Sequence, residues 1–196
     1  MNFTDRQIEI IEAAKKLIGD KGVQNLTIKN LAAEMSFSEP ALYRHFKNKV
    51  DILNSVLVFY KEQIKKHLSP ILKESSNGLE KINSILKYQF AYFSKHPAIV
   101  LVIFSETSFQ NEKILSKTVL EIMNQKKKLI GSIIQQGQAD GSIIKKVNHE
   151  QLATIIMGSM RLTILQWRLS EFNYSLVKKG EILRNDLSQL IRLVTL

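Results

Sequence analysis

Apolar residues recur every three or four positions along most of the chain, the spacing that puts them on one face of an α-helix. Over Asp5 to Gly19 the stripe is Ile8, Ile11, Ala14 or Lys15, and Ile18, with Thr4 placed to cap the start and Gly22 to close the end. Ile28, Leu31, Ala32 and Met35 mark a short helix behind the N-cap Thr27. A Ser36-Phe37-Ser38 break follows. Ser38 then caps a second short helix that carries Glu39 and Pro40 in its first turn and turns Leu42 and Phe46 inward. Asn48 opens a long helix from Lys49 to about Leu68, which Pro70 is expected to stop. Its apolar face holds Ile52, Leu53, Val56, Leu57, Phe59, Tyr60 and Ile64.

The same period continues downstream. After the Ser75-Ser76-Asn77-Gly78 loop come helices over Leu79–Ser94, about Glu112–Gln136, Asn148 or His149 to Ser170, and Ser175 to about Leu193. Between the first two, His96-Pro97 breaks the chain ahead of Ala98–Phe104, whose β-branched residues favour a strand. No second strand-like segment exists to pair with it, so a buried helix is expected. The sum is an all-α fold of about nine helices. Two short helices around a three- or four-residue turn are the helix-turn-helix plan, whose second helix enters the DNA major groove.

Composition narrows the function. With no cysteine among 196 residues, disulfides, thiolate catalysis and cysteine-ligated metals are excluded. The four histidines (45, 67, 96, 149) lack metal spacing, and no Gly-rich phosphate loop or Gly-x-Ser-x-Gly elbow occurs, so neither enzyme, metal nor cofactor is expected. The start, Met1 to Arg6, has no apolar core of a signal peptide, and the longest apolar run, Ala98 to Phe104, is too short to span a bilayer. A cytoplasmic protein with no membrane partner is expected. The net charge of +10 suits a polyanion. Residues 1–50 nevertheless hold eight Lys/Arg against six Asp/Glu, only +2, so the motif argues for DNA more than the charge does.

Leu42-Tyr43-Arg44-His45-Phe46-Lys47-Asn48-Lys49 resembles the LYxHFxxK signature of the TetR family of bacterial transcriptional regulators. Arg6, Ile10, Ala13, Ala14, Leu17, Gly22 and Thr27 resemble the family's first helix and its link to the second. The resemblance implies a helix-turn-helix DNA-binding domain over residues 1–50 and a helical effector-binding and dimerisation domain over residues 51–196. Ser36 stands where the family usually has glycine, and Phe37 replaces a smaller aliphatic. A left-handed serine is strained, so a remodelled turn is expected here.

Candidate site residues follow. Tyr43, His45 and Lys47 are placed for phosphates, as are Thr27 and Lys29 at the preceding helix start. Lys49 sits in a first turn, where the macrodipole disfavours a cation unless a phosphate lies beside it. Base reading falls to Ser38, Glu39, Pro40, Ala41 and Arg44. Arginine can bond guanine bidentately, glutamate can accept from cytosine N4, and alanine can touch a thymine methyl.

Six of fifteen aromatics (Tyr88, Phe90, Tyr92, Phe93, Phe104, Phe109) fall within 22 residues. With Met123, Met160 and Trp167 they are candidates to line an apolar effector pocket, Glu106, Gln166 or Arg161 supplying polar anchors. For a homodimer interface, the resemblance points to the last two helices, through Met157, Ile164, Leu165, Leu183, Leu187, Leu190, Ile191 and Val194. The function expected is a homodimeric repressor released from a palindromic operator by a small, largely apolar molecule. The alternative is a nucleoid-associated DNA-binding protein of the same fold without a small-molecule effector.

Overall fold

The computed structural model of the chain describes residues 3–105 and 112–192. These form nine α-helices: α1 Asp5–Lys21, α2 Ile28–Met35, α3 Glu39–Tyr43, α4 Lys49–Lys73, α5 Gly78–Lys95, α6 Pro97–Ile103, α7 Lys113–Asp140, α8 His149–Leu169 and α9 Leu176–Ile191. Among the described residues there is no strand beyond one isolated bridge between Ile143 and Arg192. The all-α reading holds.

Local chemistry sets the helix starts. The Thr4 hydroxyl accepts from the Gln7 N–H at 3.2 Å while the Gln7 side chain accepts from the Thr4 N–H at 3.1 Å, a reciprocal capping box. Thr27 caps α2 by accepting from Asn30 N–H at 3.0 Å. Asn48 and Asp51 cap α4 reciprocally: Asn48 Oδ1 accepts from the Asp51 N–H and Asp51 Oδ2 from the Lys47 N–H, both at 2.9 Å. Asn148 and Ser175 cap α8 and α9, their side-chain oxygens accepting from the Glu150 and Lys178 N–H groups.

Two expectations need correcting. Pro70 does not stop α4, which continues through it to Lys73. Proline removes the bond to the Lys66 carbonyl, but Lys66 and Pro70 are both exposed, so water can satisfy that oxygen. The second short helix ends at Tyr43. Phe46 reaches the core from the turn beyond it, its N–H bonded to the Leu42 carbonyl at 3.0 Å.

The chain divides into two compact units, Met1–Ile64 with His96–Glu121, and Lys65–Lys95 with Ile122–Leu196. In the first, α1 buries Ile10, Ile11, Ala14, Leu17 and Ile18. The α2 residues Leu31 and Ala32, together with Leu42 and Phe46, are buried with them. α6 also packs on α1, the Ala98 methyl lying close to Gly19. Burial of Ala98, Ile99, Val100, Val102 and Ile103 explains why this β-branched run is a helix: nearly its whole circumference is covered.

In the second unit α5 packs on α9, and Phe90 lies directly over Gly180. An added Cβ at Gly180 would stand 2.3 Å from the Phe90 ring, so a bare backbone is required there. Gly78 meets Gly137 equally closely, an added Cβ falling 2.3 Å from the Gly137 Cα.

Candidate nucleic-acid interface and effector region

The recognition segment is held from behind. Leu42 is wholly buried and Phe46 nearly so, which fixes α3 on the body while Ser38, Glu39, Pro40, Tyr43, Arg44 and Lys47 stay exposed. Tyr43 shows 53% of its surface, a high exposure for an aromatic side chain. Ala41 and His45 are half-buried. On α2 the same division leaves Thr27 and Lys29 outside while Ile28 and Leu31 go in.

The turn between α2 and α3 keeps its left-handed residue although that residue is serine. Ser36 has φ 54° and ψ 38°, and the following Phe37 N–H bonds back to the Ala32 carbonyl at 2.9 Å. The expected remodelling does not occur. Phe37 is held by Arg6, whose guanidinium carbon lies 5.2 Å from the ring centroid, so the larger side chain acquires a cation–π partner.

Cations sort by position. Lys15 pairs with Glu12 at 2.7 Å and Lys16 with Glu34 at 2.6 Å, both on the α1 side, while Arg6 holds Glu9 at 2.6 Å. By contrast, among the described residues no carboxylate lies within 4.0 Å of Lys29, Arg44 or Lys47. Their charge is left uncancelled beside the exposed face of α3. Lys49 behaves differently. It is half-buried at the first position of α4, its ammonium donates to the Gln24 carbonyl at 3.4 Å, and burial pushes its pKa below the ordinary lysine value.

Phe90 is buried over Gly180, and the nine apolar effector candidates do not form one cluster. Tyr88, Tyr92 and Phe93 do, along α5: ring centroids are 5.9 Å apart for the first pair and 6.2 Å for the second, and His67 of α4 stacks on Tyr88 at 5.3 Å. The Tyr88 hydroxyl is buried with no hydrogen-bond partner among the described residues, and burial raises its pKa. Met160 is buried on α8 and Met123 is exposed on α7. Trp167 is committed elsewhere, its Nε1–H donating to the Tyr174 carbonyl at 2.8 Å and its ring packed on Phe172 at 4.6 Å. Phe104 belongs to the first unit, buried at the end of α6. Phe109 and Glu106 lie outside the described residues.

Sequence reasoning missed Lys126, which donates to Gln89 Oε1 at 2.7 Å and approaches the Met160 sulfur at 3.6 Å. Desolvation lowers its pKa to about 7. The signal was available. Lys126 precedes the buried Ile130 and Ile133 by four and seven residues, so it shares their inward face.

The dimer candidates divide. Met157, Leu165 and Leu183 are half-buried and Leu190 is 72% exposed. Ile164, Leu187 and Ile191 are a correction: each is at most 5% exposed and belongs to the core of its own chain. Val194 lies outside the described residues. The uncovered apolar surface consists instead of Ile155, Leu162 and Leu169 on α8 with Val177, Ile182 and Leu190 on α9, all at least 45% exposed. A helix apolar on most sides thus buries one face and leaves another open.

Among the described residues no group of three or more His, Asp or Glu is placed to hold a metal, and no helix is long and apolar enough to cross a membrane.

Comparison with known proteins places this geometry. Residues 10–56 match the family model described as bacterial regulatory proteins, tetR family, and residues 57–190 match that of the YsiA-like protein C-terminal region. The nucleoid occlusion factor SlmA of Aliivibrio fischeri is 24% identical over 172 residues, 87% of each chain. Two solved structures share the fold. The transcriptional regulator FadR from Bacillus subtilis in complex with stearoyl-CoA gives a TM-score of 0.78 at 22% identity, covering 92% of this chain and 97% of that one. A regulator from Saccharomonospora viridis in complex with choline gives 0.85 at 18%, covering 97% and 99%.

Proposed function

The chain belongs to the TetR family of bacterial DNA-binding regulators, and we propose that it works as a homodimeric repressor of a palindromic operator. The observation that carries this reading is the uncancelled charge of Lys29, Arg44 and Lys47 around an α3 whose outer face, Ser38 to Tyr43, is exposed and whose inner face is anchored by Leu42. Lysines and caps near helix starts hold phosphates and fix the register. Arg44, Glu39 and Ala41 then meet base edges. Thr27 accepts from the Asn30 N–H as a cap, which leaves its O–H free to donate to a phosphate oxygen beside α2.

Two-fold reading needs two copies with recognition helices about 34 to 36 Å apart. The open apolar faces of α8 and α9 supply the natural pairing surface, because burying six large apolar side chains from each copy is strongly favourable. Release follows if an effector held near the α5 aromatics favours one setting of α4 over another. α4 begins beside the recognition segment at Lys49 and ends in the second unit.

The test is selection from random duplexes by the purified chain, then titration of the selected site. A palindrome is expected, with Arg44→Ala lowering affinity for it by about 1 to 3 kcal/mol and leaving weak binding to random DNA nearly unchanged. Equal affinity for selected and random duplexes would sink the operator reading. It would favour a nucleoid-associated role, for which the likeness to nucleoid occlusion factors speaks.

A further inference from the structure

α3 is only five residues long, too short to hold its own direction through its own hydrogen bonds. Its N-cap, Ser38, makes no side-chain bond to the helix start. The two buried anchors of the segment, Leu42 and Phe46, lie near and beyond its C-terminal end. The front of α3 is therefore held through the turn that precedes it. At about 1.5 Å per residue the helix is roughly 7 Å long, so a tilt of about 10° moves its front by about 1 Å. Hydrogen bonds to base edges tolerate about half an ångström, and such a tilt spoils them.

The turn is gripped by α1. Phe37, half-buried between Ser36 and Ser38, lies under the Arg6 guanidinium, whose carbon is 5.2 Å from the ring centroid. Glu9, three residues along α1, accepts from the same guanidinium at 2.6 Å and fixes it there. The wholly buried Ile10 and Ile11 seat this end of α1. The neighbouring Gln7 reaches the far side of the segment, its Nε2–H donating to the His45 carbonyl at 3.5 Å. Adjacent residues in the first turn of α1 thus touch the chain on both sides of α3. Glu9 also sets Arg6 apart from Lys29, Arg44 and Lys47, because it cancels the charge on which a phosphate would draw.

We propose that Arg6 is a specificity-determining residue that acts through Phe37. The guanidinium seats the ring, the ring seats the front of α3, and Glu39, Pro40 and Ala41 meet their bases best in that setting. Arg6 is a positioning residue and touches no DNA. The inference rests on the reading of α3 as the base-reading helix. An exposed cation–π contact biases a setting by roughly two- to fivefold. That bias bears on operator binding alone, since phosphate contacts from flexible lysines carry no sequence information and do not need the tilt fixed.

The experiment compares the full chain with Phe37→Leu, Phe37→Tyr, Arg6→Gln and the double variant Arg6→Gln with Phe37→Leu. The quantity read is the ratio of affinities for the selected duplex and for random duplex at one salt concentration. A smaller folded fraction lowers both affinities alike, so the ratio isolates the setting of α3. Phe37→Leu and Arg6→Gln should each lower it roughly two- to fivefold, and the double variant no further than either alone. Phe37→Tyr, which keeps an aromatic face, should retain it. A direct phosphate contact by Arg6 would behave otherwise. Arg6→Gln would then weaken both duplexes together, flatten the salt slope by about one and add fully to Phe37→Leu, which overturns the inference.

Hydrogen exchange of the free chain supplies a readout without DNA. The Phe37 and Ala41 N–H groups, bonded at 2.9 and 3.0 Å to the Ala32 and Ser38 carbonyls, should exchange roughly two- to fivefold faster in both single variants. The Leu31 N–H of α2, bonded to the Thr27 carbonyl at 2.9 Å, should not change. Unchanged exchange at Phe37 and Ala41, or faster exchange with an unchanged affinity ratio, overturns the proposal. A wild type that binds both duplexes equally refutes the operator reading and this role with it, while faster exchange in the variants would still show that α1 holds α3.

Discussion

Replacing Lys126 with methionine removes a charge that the fold keeps without a counter-ion, and the consequence for stability can be worked from its surroundings. The pKa falls from 10.5 to about 7 through desolvation. At roughly 1.4 kcal/mol per unit, the charged form is disfavoured by about 5 kcal/mol in the folded state relative to the unfolded chain. Residual water and local relaxation reduce this, so Lys126→Met should be more stable than wild type by about 2 to 4 kcal/mol at pH 7. The sign with pH is fixed by linkage. Between pH 7 and 10.5 the unfolded chain binds a proton at Lys126 that the folded chain does not, so wild-type stability rises through that window. The variant lacks that slope. Its advantage should be fully present at and below pH 7 and shrink towards pH 10. Urea unfolding followed by the fluorescence of Trp167, the single tryptophan, at fixed protomer concentration measures both. A variant no more stable than wild type at pH 7, or an advantage constant with pH, refutes the reasoning.

Other substitutions test other parts of the molecule. Gly180→Ala drives a methyl into the Phe90 ring and should destabilise the second unit by about 1 to 3 kcal/mol in the same urea assay. Ser36→Gly relieves a left-handed residue and should raise thermal stability by about 0.5 to 1 kcal/mol while leaving operator affinity intact. Leu162→Glu places a charge at the middle of the open α8 face. Analytical ultracentrifugation should then find monomers, with operator affinity lost although circular dichroism stays helical.

What could be seen in advance was what local rules control. Thr4, Thr27, Asn48 and Ser175 announce helix starts because a side-chain oxygen two or three residues before an unpaired N–H leaves little choice. The inward Leu42 and Phe46 follow from their spacing alone. Packing across long stretches of chain was not visible. α6 lies on α1, and nothing in either segment names the other. The split among Ile164, Leu187, Ile191 and their exposed neighbours was hidden for a related reason. Where a helix is apolar nearly all round, periodicity cannot say which side meets its own chain. Lys126 was passed over because it stands in a run of three lysines, and composition spoke louder there than its register with Ile130.

The open residues of α8 fall at 155, 162 and 169, a strict seven-residue step. A straight helix turns about 20° short of closing over each such step, so these three rungs wind slowly around the rod. A second rod laid against them can follow all three only by coiling, and otherwise crosses at the middle rung and parts from the outer two. The angle between two copies would thus be set by whether the end rungs or Leu162 dominate, and with it the reach of the pair along a duplex.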